Sequence, residues 1–335
     1  MRAPAFWSQP QPDWRGKLLS PLGMLYARAT ANRIAKGQAE QLPVPVICVG
    51  NINAGGTGKT PTVMAIAEKL RDQFHDPHIV SRGYGGIETG PIEVDPLRHN
   101  AEMVGDEPLL LSAFARTWVA RDRVAGARAA IAGGATAIIL DDGFQDPSLA
   151  HDLSIVVVDA ETGFGNGLCV PAGPLREPIG VGLSRADMVL TIGSAAAQER
   201  FDDRVLPGAL PHIRAALAPL RTGMDWTGMR LIAFAGIGRP DKFFETLRAL
   251  GAKLLRTEAL GDHQKLSAAF LTRLERDARA ENAQLVTTEK DAARLPAAFR
   301  SKVITLPVRL SFDNPEALDT ALKALPVPSS STQNA

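Results

Sequence analysis

Residues 50–60 read Gly50-Asn51-Ile52-Asn53-Ala54-Gly55-Gly56-Thr57-Gly58-Lys59-Thr60, between an apolar run ending at Val49 and a helix-period segment opening at Thr60. A loop in that setting turns successive backbone N–H groups inward at the positive end of a helix, which makes a cradle for phosphate oxygens. Gly55, Gly56 and Gly58 permit the close approach that side chains would block. Lys59 would reach the β- and γ-phosphates of a nucleotide, and Thr60 would ligate Mg2+. The run Asn53, Ala54, Gly55, Gly56, Thr57, Gly58, Lys59, Thr60 is therefore expected to bind the phosphates. One position departs from G-x-x-x-x-G-K-[ST], because Asn53 stands where the first glycine belongs. Asparagine is among the few other residues that tolerate left-handed backbone, so the loop survives the exchange.

A phosphate loop needs a carboxylate at the end of a neighbouring strand to hold Mg2+ or its water shell. Ala137-Ile138-Ile139-Leu140-Asp141-Asp142 supplies two, and the polar, turn-prone Gly143-Phe144-Gln145-Asp146 follows as a site loop should. Asp159, closing the apolar run 153–158, is the competitor, since strand-end acids also serve as turn formers.

The elements that must position these groups alternate. Apolar strand-like runs at 44–49, 79–81, 137–140, 153–159 and 188–192 are separated by helix-period segments at 60–73, 108–116 and 121–132. Continuous Val/Ile runs between helices mark a mostly parallel sheet covered on both faces. From about 205 to 228 the pattern lapses into Pro207, Pro211, Pro219 and glycines, which reads as a connection between domains. A second α/β unit follows, with strands at 231–234, 253–256, 284–287 and 303–307 and helices at 241–250, 267–280 and 314–325. The Ser/Pro/Asn-rich tail 326–335 reads as disordered. The fold class is α/β, a P-loop NTPase-like parallel sheet domain with a second, smaller α/β domain.

The length of 335 residues suits about two domains of roughly 150 residues each. A net charge of +1 provides no basic field to hold nucleic acid by counterion release. Two cysteines make no disulfide framework, and six scattered histidines give no zinc-ligand spacing. The charge is concentrated instead at the N-terminus, where residues 1–40 carry six basic and two acidic side chains. In that stretch Trp7 and Trp14 precede Leu18, Leu22, Leu25, Tyr26 and Ala29, whose spacing gathers apolar groups on one helical face. The longest uncharged run is ten residues, 18–27, about half of what spanning a bilayer requires. A basic amphipathic segment with tryptophans fits a helix lying in a membrane interface, and equally an N-terminal helix packed on its own domain.

Taken together, several short segments resemble a known family. They are Val49-Gly50-Asn51 leading into Gly55–Pro61, Ser81-Arg82-Gly83-Tyr84-Gly85, Gly105-Asp106-Glu107-Pro108, Asp141-Asp142-Gly143-Phe144-Gln145, Phe164-Gly165-Asn166-Gly167 and Pro171-Ala172-Gly173-Pro174-Leu175-Arg176-Glu177-Pro178. Phe234-Ala235-Gly236-Ile237-Gly238, Asp262-His263 and Thr287-Thr288-Glu289-Lys290-Asp291 extend the match. In order and spacing these are similar to the tetraacyldisaccharide 4′-kinases, the lipid A 4′-kinases of Gram-negative bacteria, over residues 44–295. The family usually carries His after the Asp-Asp-Gly-Phe-Gln run, where this chain has Asp146, so no contact of that histidine carries over.

The resemblance implies transfer of the ATP γ-phosphate to the 4′-hydroxyl of a tetraacylated glucosamine disaccharide 1-phosphate, with ATP and Mg2+. It implies a peripheral place on the cytoplasmic face of the inner membrane, against its lipid surface, with neither nucleic acid nor a protein partner. It divides the chain into a membrane-surface segment at 1–40, a kinase domain at 41–222 and the smaller domain at 223–325. It maps the general base onto Asp106 with His263 as its partner, and makes Arg82, Gln145, Arg176 and Glu177 substrate-contact candidates. Read alone, Asp106 ahead of Pro108 is also a helix cap, His263 a surface histidine, Arg176 and Glu177 a salt-bridged turn, and Lys290 a paired surface lysine. Membrane-associated ATPases of the partition type also begin their loop with paired glycines, but carry a lysine where this chain has Ala54. A GTP-dependent metal-insertion protein needs Asn/Thr-Lys-x-Asp, which Thr288-Glu289-Lys290-Asp291 interrupts.

Overall fold

Val46 to Gly50 are all buried, which is what an apolar run flanked on both sides by other strands must be. This central strand, β1 (Val46–Gly50), organises the larger part of the computed structural model, which describes residues 4–326 apart from 202, 262, 263 and 265. Before it come a 3-10 helix (Ala5–Ser8) and α1 (Trp14–Ala35); after it come α2 (Lys59–Asp72), β2 (Pro77–Ser81), β3 (Ile92–Glu93), α3 (Ala101–Val104) and α4 (Asp106–Leu111). The chain continues through β4 (Thr117–Val119), α5 (Arg123–Ala132), β5 (Ala137–Asp141), β6 (Leu153–Asp159), α6 (Ile179–Leu183), β7 (Met188–Ile192), α7 (Ala195–Arg200) and β8 (His212–Pro219). A second set follows: β9 (Arg230–Ala235), α8 (Pro240–Ala249), β10 (Lys253–Ala259), α9 (Ala268–Ala280), β11 (Gln284–Thr288), α10 (Glu289–Arg294), α11 (Ala297–Arg300) and β12 (Val303–Leu306). The last elements are β13 (Val308–Phe312) and α12 (Glu316–Lys323).

Among the described residues, nine strands form one sheet in the order β13-β8-β7-β6-β1-β5-β2-β4-β3, and four form a second in the order β10-β9-β11-β12. Only the edge strands β13 and β3 pair antiparallel. One face of the large sheet packs Val63, Ile66 and Leu70 of α2 and Leu318 and Leu322 of α12 on Ile47, Val49 and Ile139. The other face buries Ala127 and Ala130 of α5 with Phe144 and Leu149 against Val46 and Ile138. The small sheet is covered likewise, by Phe243 and Phe244 of α8 on one face and Leu271 and Leu274 of α9 on the other.

Two expectations need correction. Residues 205–228 are not simply a connection, because 212–219 form β8 inside the large sheet, paired parallel with β7. The smaller unit does not run on to 325 either. Pro307 separates β12 from β13, and β13 returns to pair with β8 while α12 packs on the large core. The small sheet is thus an insertion between two neighbouring strands of the large one. Residues 327–335 of the tail lie outside the described residues.

In α1 the sides are reversed from ordinary amphipathic packing. Asp13 caps its first turn by accepting from the N–H groups of Arg15 and Gly16. The buried positions are Gly16, Gly23 and Thr30, and a Cβ added at Gly23 would come within 2.7 Å of the Cys169 carbonyl oxygen. The apolar residues face outward, with Trp14 68%, Leu18 71% and Leu25 65% exposed. Helix propensity alone favours Ala over Gly by about 1 kcal/mol, whereas the clash at Cys169 opposes it with a cost of about 1–3 kcal/mol. Gly23→Ala is expected to lower the thermal midpoint; a raised midpoint would show that α1 does not sit tightly on 169–172.

Candidate active site

The loop 51–58 joins β1 to α2 and is braced along its length. Asn51 donates its side-chain amide to the Gly55 carbonyl and the Thr57 hydroxyl, both at 3.1 Å. The Ala54 N–H donates to the Pro174 carbonyl at 2.6 Å and the Arg176 N–H to the Ile52 carbonyl at 2.7 Å, tying the loop to the segment 174–176. Gly58 requires its residue type: its φ is 98°, and a Cβ there would lie 2.6 Å from Ile192 Cδ1. At Gly55 and Gly56 an added Cβ would meet nothing within 4 Å, so the loop stands open there. Asn53 fits for a different reason from the one its type suggests. Its backbone is not left-handed, and its buried side chain turns aside to donate to the Gly163 carbonyl at 3.0 Å.

β1 pairs with β5 so that Val49 lies opposite Asp141, which brings the acidic pair beside the loop. The two carboxylates have opposite surroundings. Asp141 is buried and accepts from Ser81 Oγ at 3.0 Å. Burial, with Asp142 adding to it, pushes its pKa from 3.8 up to about 6 against the pull of Lys59 and Ser81. Asp142 takes a φ of 55°, which turns it toward Lys59 Nζ at 3.6 Å and Arg176 at 3.0 and 3.2 Å. Burial alone would raise its pKa, but Lys59 and Arg176 outweigh it and hold the carboxyl below the usual range.

Among the described residues no group of three or more His, Cys, Asp or Glu side chains could hold a metal unaided. That matches Mg2+, which keeps several waters and takes phosphate oxygens with one or two carboxylates. The donors fit it: Asp141 and Asp142 are hard oxygen ligands whose mutual repulsion a cation would relieve, and Thr60 sits in the first turn of α2. Asp159, the competitor, pairs instead with Arg239 of the second unit at 3.5 Å. Together with Trp7, Thr162 and loop residues 53–57 these two line a cavity of about 170 Å³ on the side of β1 away from Asp141.

The substrate-contact candidates fall into two groups. Gln145, Arg176 and Glu177 support one another: Gln145 Nε2 donates to the Asn51 carbonyl at 2.8 Å and to Glu177 at 3.0 Å, and Arg176 donates to Gln145 at 3.0 Å. Buried Glu177 also pairs with Arg185. Arg82 is exposed directly after Ser81, at the end of β2 beside Asp141.

Asp106 is the first residue of α4, and the cap position belongs to Gly105, so the helix-cap reading is not what the geometry shows. Its buried carboxylate lies 3.6 Å from Arg294 Nη1 of α10. Arg294 pairs in turn with buried Asp291 and donates to the Gln264 carbonyl at 3.3 Å. Lys290 meets Glu107 at 2.9 Å, so α10 brings two cations to the first turn of α4. His263 lies outside the described residues. Sequence reading missed Arg123, Arg294, Arg239 and Trp7 as members of this site; they are single side chains delivered by distant segments, and only the Lys-Asp-x-x-Arg run at 290–294 offered a local signal.

A phosphate loop at a strand-to-helix junction, with a tandem acid on the adjacent strand, defines a P-loop phosphoryl-transfer protein of the α/β class. The model of the family described as LpxK, tetraacyldisaccharide-1-P 4′-kinase, matches residues 15–326. The chain belongs to this family of kinases. It is 61% identical over 330 residues to the tetraacyldisaccharide 4′-kinase of Dinoroseobacter shibae, covering 97% of this chain and 98% of that one. To that of Jannaschia sp. it is 57% identical over 325 residues, covering 96% and 98%. The crystal structure of LpxK from Aquifex aeolicus in complex with ATP is similar with a TM-score of 0.74 and 26% identity, covering 92% of this chain and 98% of that one. Family membership sets aside the partition-type ATPase as the alternative.

Because Asp141 binds its proton more tightly folded than unfolded, its contribution to stability is full below pH 4 and is lost as pH rises through about 6. In metal-free buffer Asp141→Asn is expected to exceed the parent in stability by roughly 2–3 kcal/mol at pH 8, with the difference vanishing near pH 4. Urea midpoints with a chelator present measure this; an offset equal at both pH values would contradict the assignment.

Proposed function

We propose that this chain transfers the γ-phosphoryl group of ATP to the 4′-hydroxyl of a tetraacylated glucosamine disaccharide 1-phosphate, a step of lipid A biosynthesis, at the cytoplasmic face of the inner membrane. The observation that carries the reading is the meeting of Lys59, at the mouth of the phosphate loop, with Asp142 at 3.6 Å, in a chain of this kinase family. Mg2+, held by Thr60, Asp141 and Asp142, would supply charge neutralisation on the phosphates. The chain's own groups do the remainder. Lys59 stabilises the charge on the transferring phosphoryl group, and Asp106 takes the proton of the sugar hydroxyl as its oxygen bonds to phosphorus and the bond to ADP breaks. The cavity containing Trp7, Asp159 and Arg239 suits the nucleoside, since it opens from the loop on the side away from the acidic pair.

The outward apolar face of α1 supports membrane attachment, because a folded domain gains nothing by leaving Trp14, Leu18, Leu22 and Leu25 in water. No helix among the described residues is long and apolar enough to cross a membrane, so the reading is of a helix lying on the surface. Its buried side rests on 169–172, and the neighbouring Pro174 holds the phosphate loop. A lipid substrate that keeps its acyl chains in the bilayer would thus present its head group near the cradle.

Two measurements test the reading. Lys59→Ala is expected to lower kcat by about 10³-fold, and Asp106→Asn by about 10²–10⁴-fold, with both proteins folded and Asp106→Asn still binding ATP; near-normal turnover in either removes that residue from the chemistry. Replacing Leu18, Leu22 and Leu25 together by serine is expected to weaken partitioning onto anionic vesicles by at least about a hundredfold, since each leucine withdrawn from water is worth roughly 1.5–3 kcal/mol. Unchanged partitioning would mean that α1 does not face the bilayer.

A further inference from the structure

The turn that ends β5 is held by a side chain that is remote in sequence. Asp142 has left-handed backbone, with φ 55°, a conformation that aspartate adopts more readily than most residues other than glycine and that several partners fix here. Its N–H is fixed by the Val49 carbonyl at 2.9 Å. Its carbonyl accepts from Arg123 Nη2 at 2.8 Å, and the Asp141 carbonyl accepts from Arg123 Nη1 at 3.0 Å. The third nitrogen of the same guanidinium, Nε, faces Asp146 Oδ2 at 3.2 Å. Arg123 is only 4% exposed, so its charge has little water, and Asp146 is the carboxylate that balances it. Asp146 is itself fixed: its N–H donates to the Gly143 carbonyl at 2.8 Å and its other oxygen accepts from the Ser148 N–H at 3.0 Å.

We propose that Arg123, charge-balanced by Asp146, is a positioning residue for phosphoryl transfer: it locks the Asp141-Asp142 turn in the conformation that turns the Asp142 carboxylate toward Lys59 and Arg176. Each of the three guanidinium nitrogens is engaged, with residues 141, 142 and 146, and the side chain is buried behind the turn it holds. A planar fork suits two adjacent carbonyls and a carboxylate at once, which a lysine ammonium at the end of a flexible stem does not reproduce. The proposal also assigns a use to Asp146, which without Arg123 would be an ordinary turn residue. It rests on the reading above that the acidic pair serves catalysis.

The test compares Arg123→Lys, Asp146→Asn, the double variant and, as reference, Asp142→Asn, with three readouts: thermal midpoint, amide hydrogen exchange over 142–146 in metal-free protein, and kcat with its Mg2+ dependence. For Arg123→Lys, exchange over 142–146 is expected to quicken by about tenfold or more while β6 and β7 stay protected, as local opening of one turn requires. Its kcat should fall by about 10–100-fold, the scale of a small misplacement of a reacting constellation, with half-activation by Mg2+ shifted upward. Asp146→Asn should move the same way by a smaller factor, and the double variant should be no worse than Arg123→Lys, because the two side chains act as one unit. Unchanged local exchange, or a kcat of the folded protein near the parent value, overturns the proposal; should Arg123→Lys not fold, Asp146→Asn decides by the same two criteria. Normal activity of Asp142→Asn would instead overturn the reading of the acidic pair, leaving the exchange result to stand by itself.

Discussion

Two carboxylates in succession at the end of one buried strand repel each other, and the site is arranged around that repulsion. β5 delivers Asp141 and Asp142 beside the phosphate loop because Asp141 lies opposite Val49 of β1. If both pointed the same way, both would crowd one desolvated space. The left-handed turn at Asp142 separates them: Asp141 stays buried against Ser81, and Asp142 swings out to Lys59 and Arg176. Arg176 then fixes Gln145, Gln145 holds the carbonyl of Asn51, and Asn51 shapes the loop through Gly55 and Thr57. The cradle and the acids are therefore parts of one hydrogen-bonded system, the kind of fixed donor and charge array on which electrostatic stabilisation depends.

The insertion of the small sheet between β8 and β13 places a second set of charges at the rim of the first. α10 reaches α4 with Lys290 on Glu107 and Arg294 on Asp106, and Arg239 reaches Asp159 on the opposite flank of the loop. These pairs join the units by long side chains at particular points, so the cleft between them is bounded by ion pairs on both sides of the loop.

Much of this was legible in the sequence wherever the signal was local. The phosphate loop is contiguous, and β6 and β7 have the residues that the Val/Ile/Leu-rich segments 153–159 and 188–192 announce. β8 escaped because Pro211 precedes it, Pro219 ends it, and its neighbour β13 comes from 89 or more residues later; a proline-bounded strand near a sheet edge carries a weak signal of its own. Asn53 does not use the left-handed backbone that its residue type suggests, since a distant carbonyl at Gly163 decides where its side chain goes. Gln145, Arg176 and Glu177 were seen as site residues, while their bonds to one another and to Asp142 depend on the fold bringing 145 and 176 together. Arg123 carries no motif, and Arg294 only the local Lys-Asp-x-x-Arg run; each matters through the carbonyls or carboxylate that tertiary packing sets in front of it.

The most direct measurement follows labelled phosphorus. The purified chain is incubated with Mg2+, ATP labelled in its γ-phosphate and a tetraacylated disaccharide 1-phosphate dispersed in mixed micelles, and the products are separated by charge and by position of phosphorylation. The account predicts label on the lipid, as a bisphosphate esterified at the 4′-hydroxyl. Label appearing only as inorganic phosphate, or on the lipid at any other position, would contradict it.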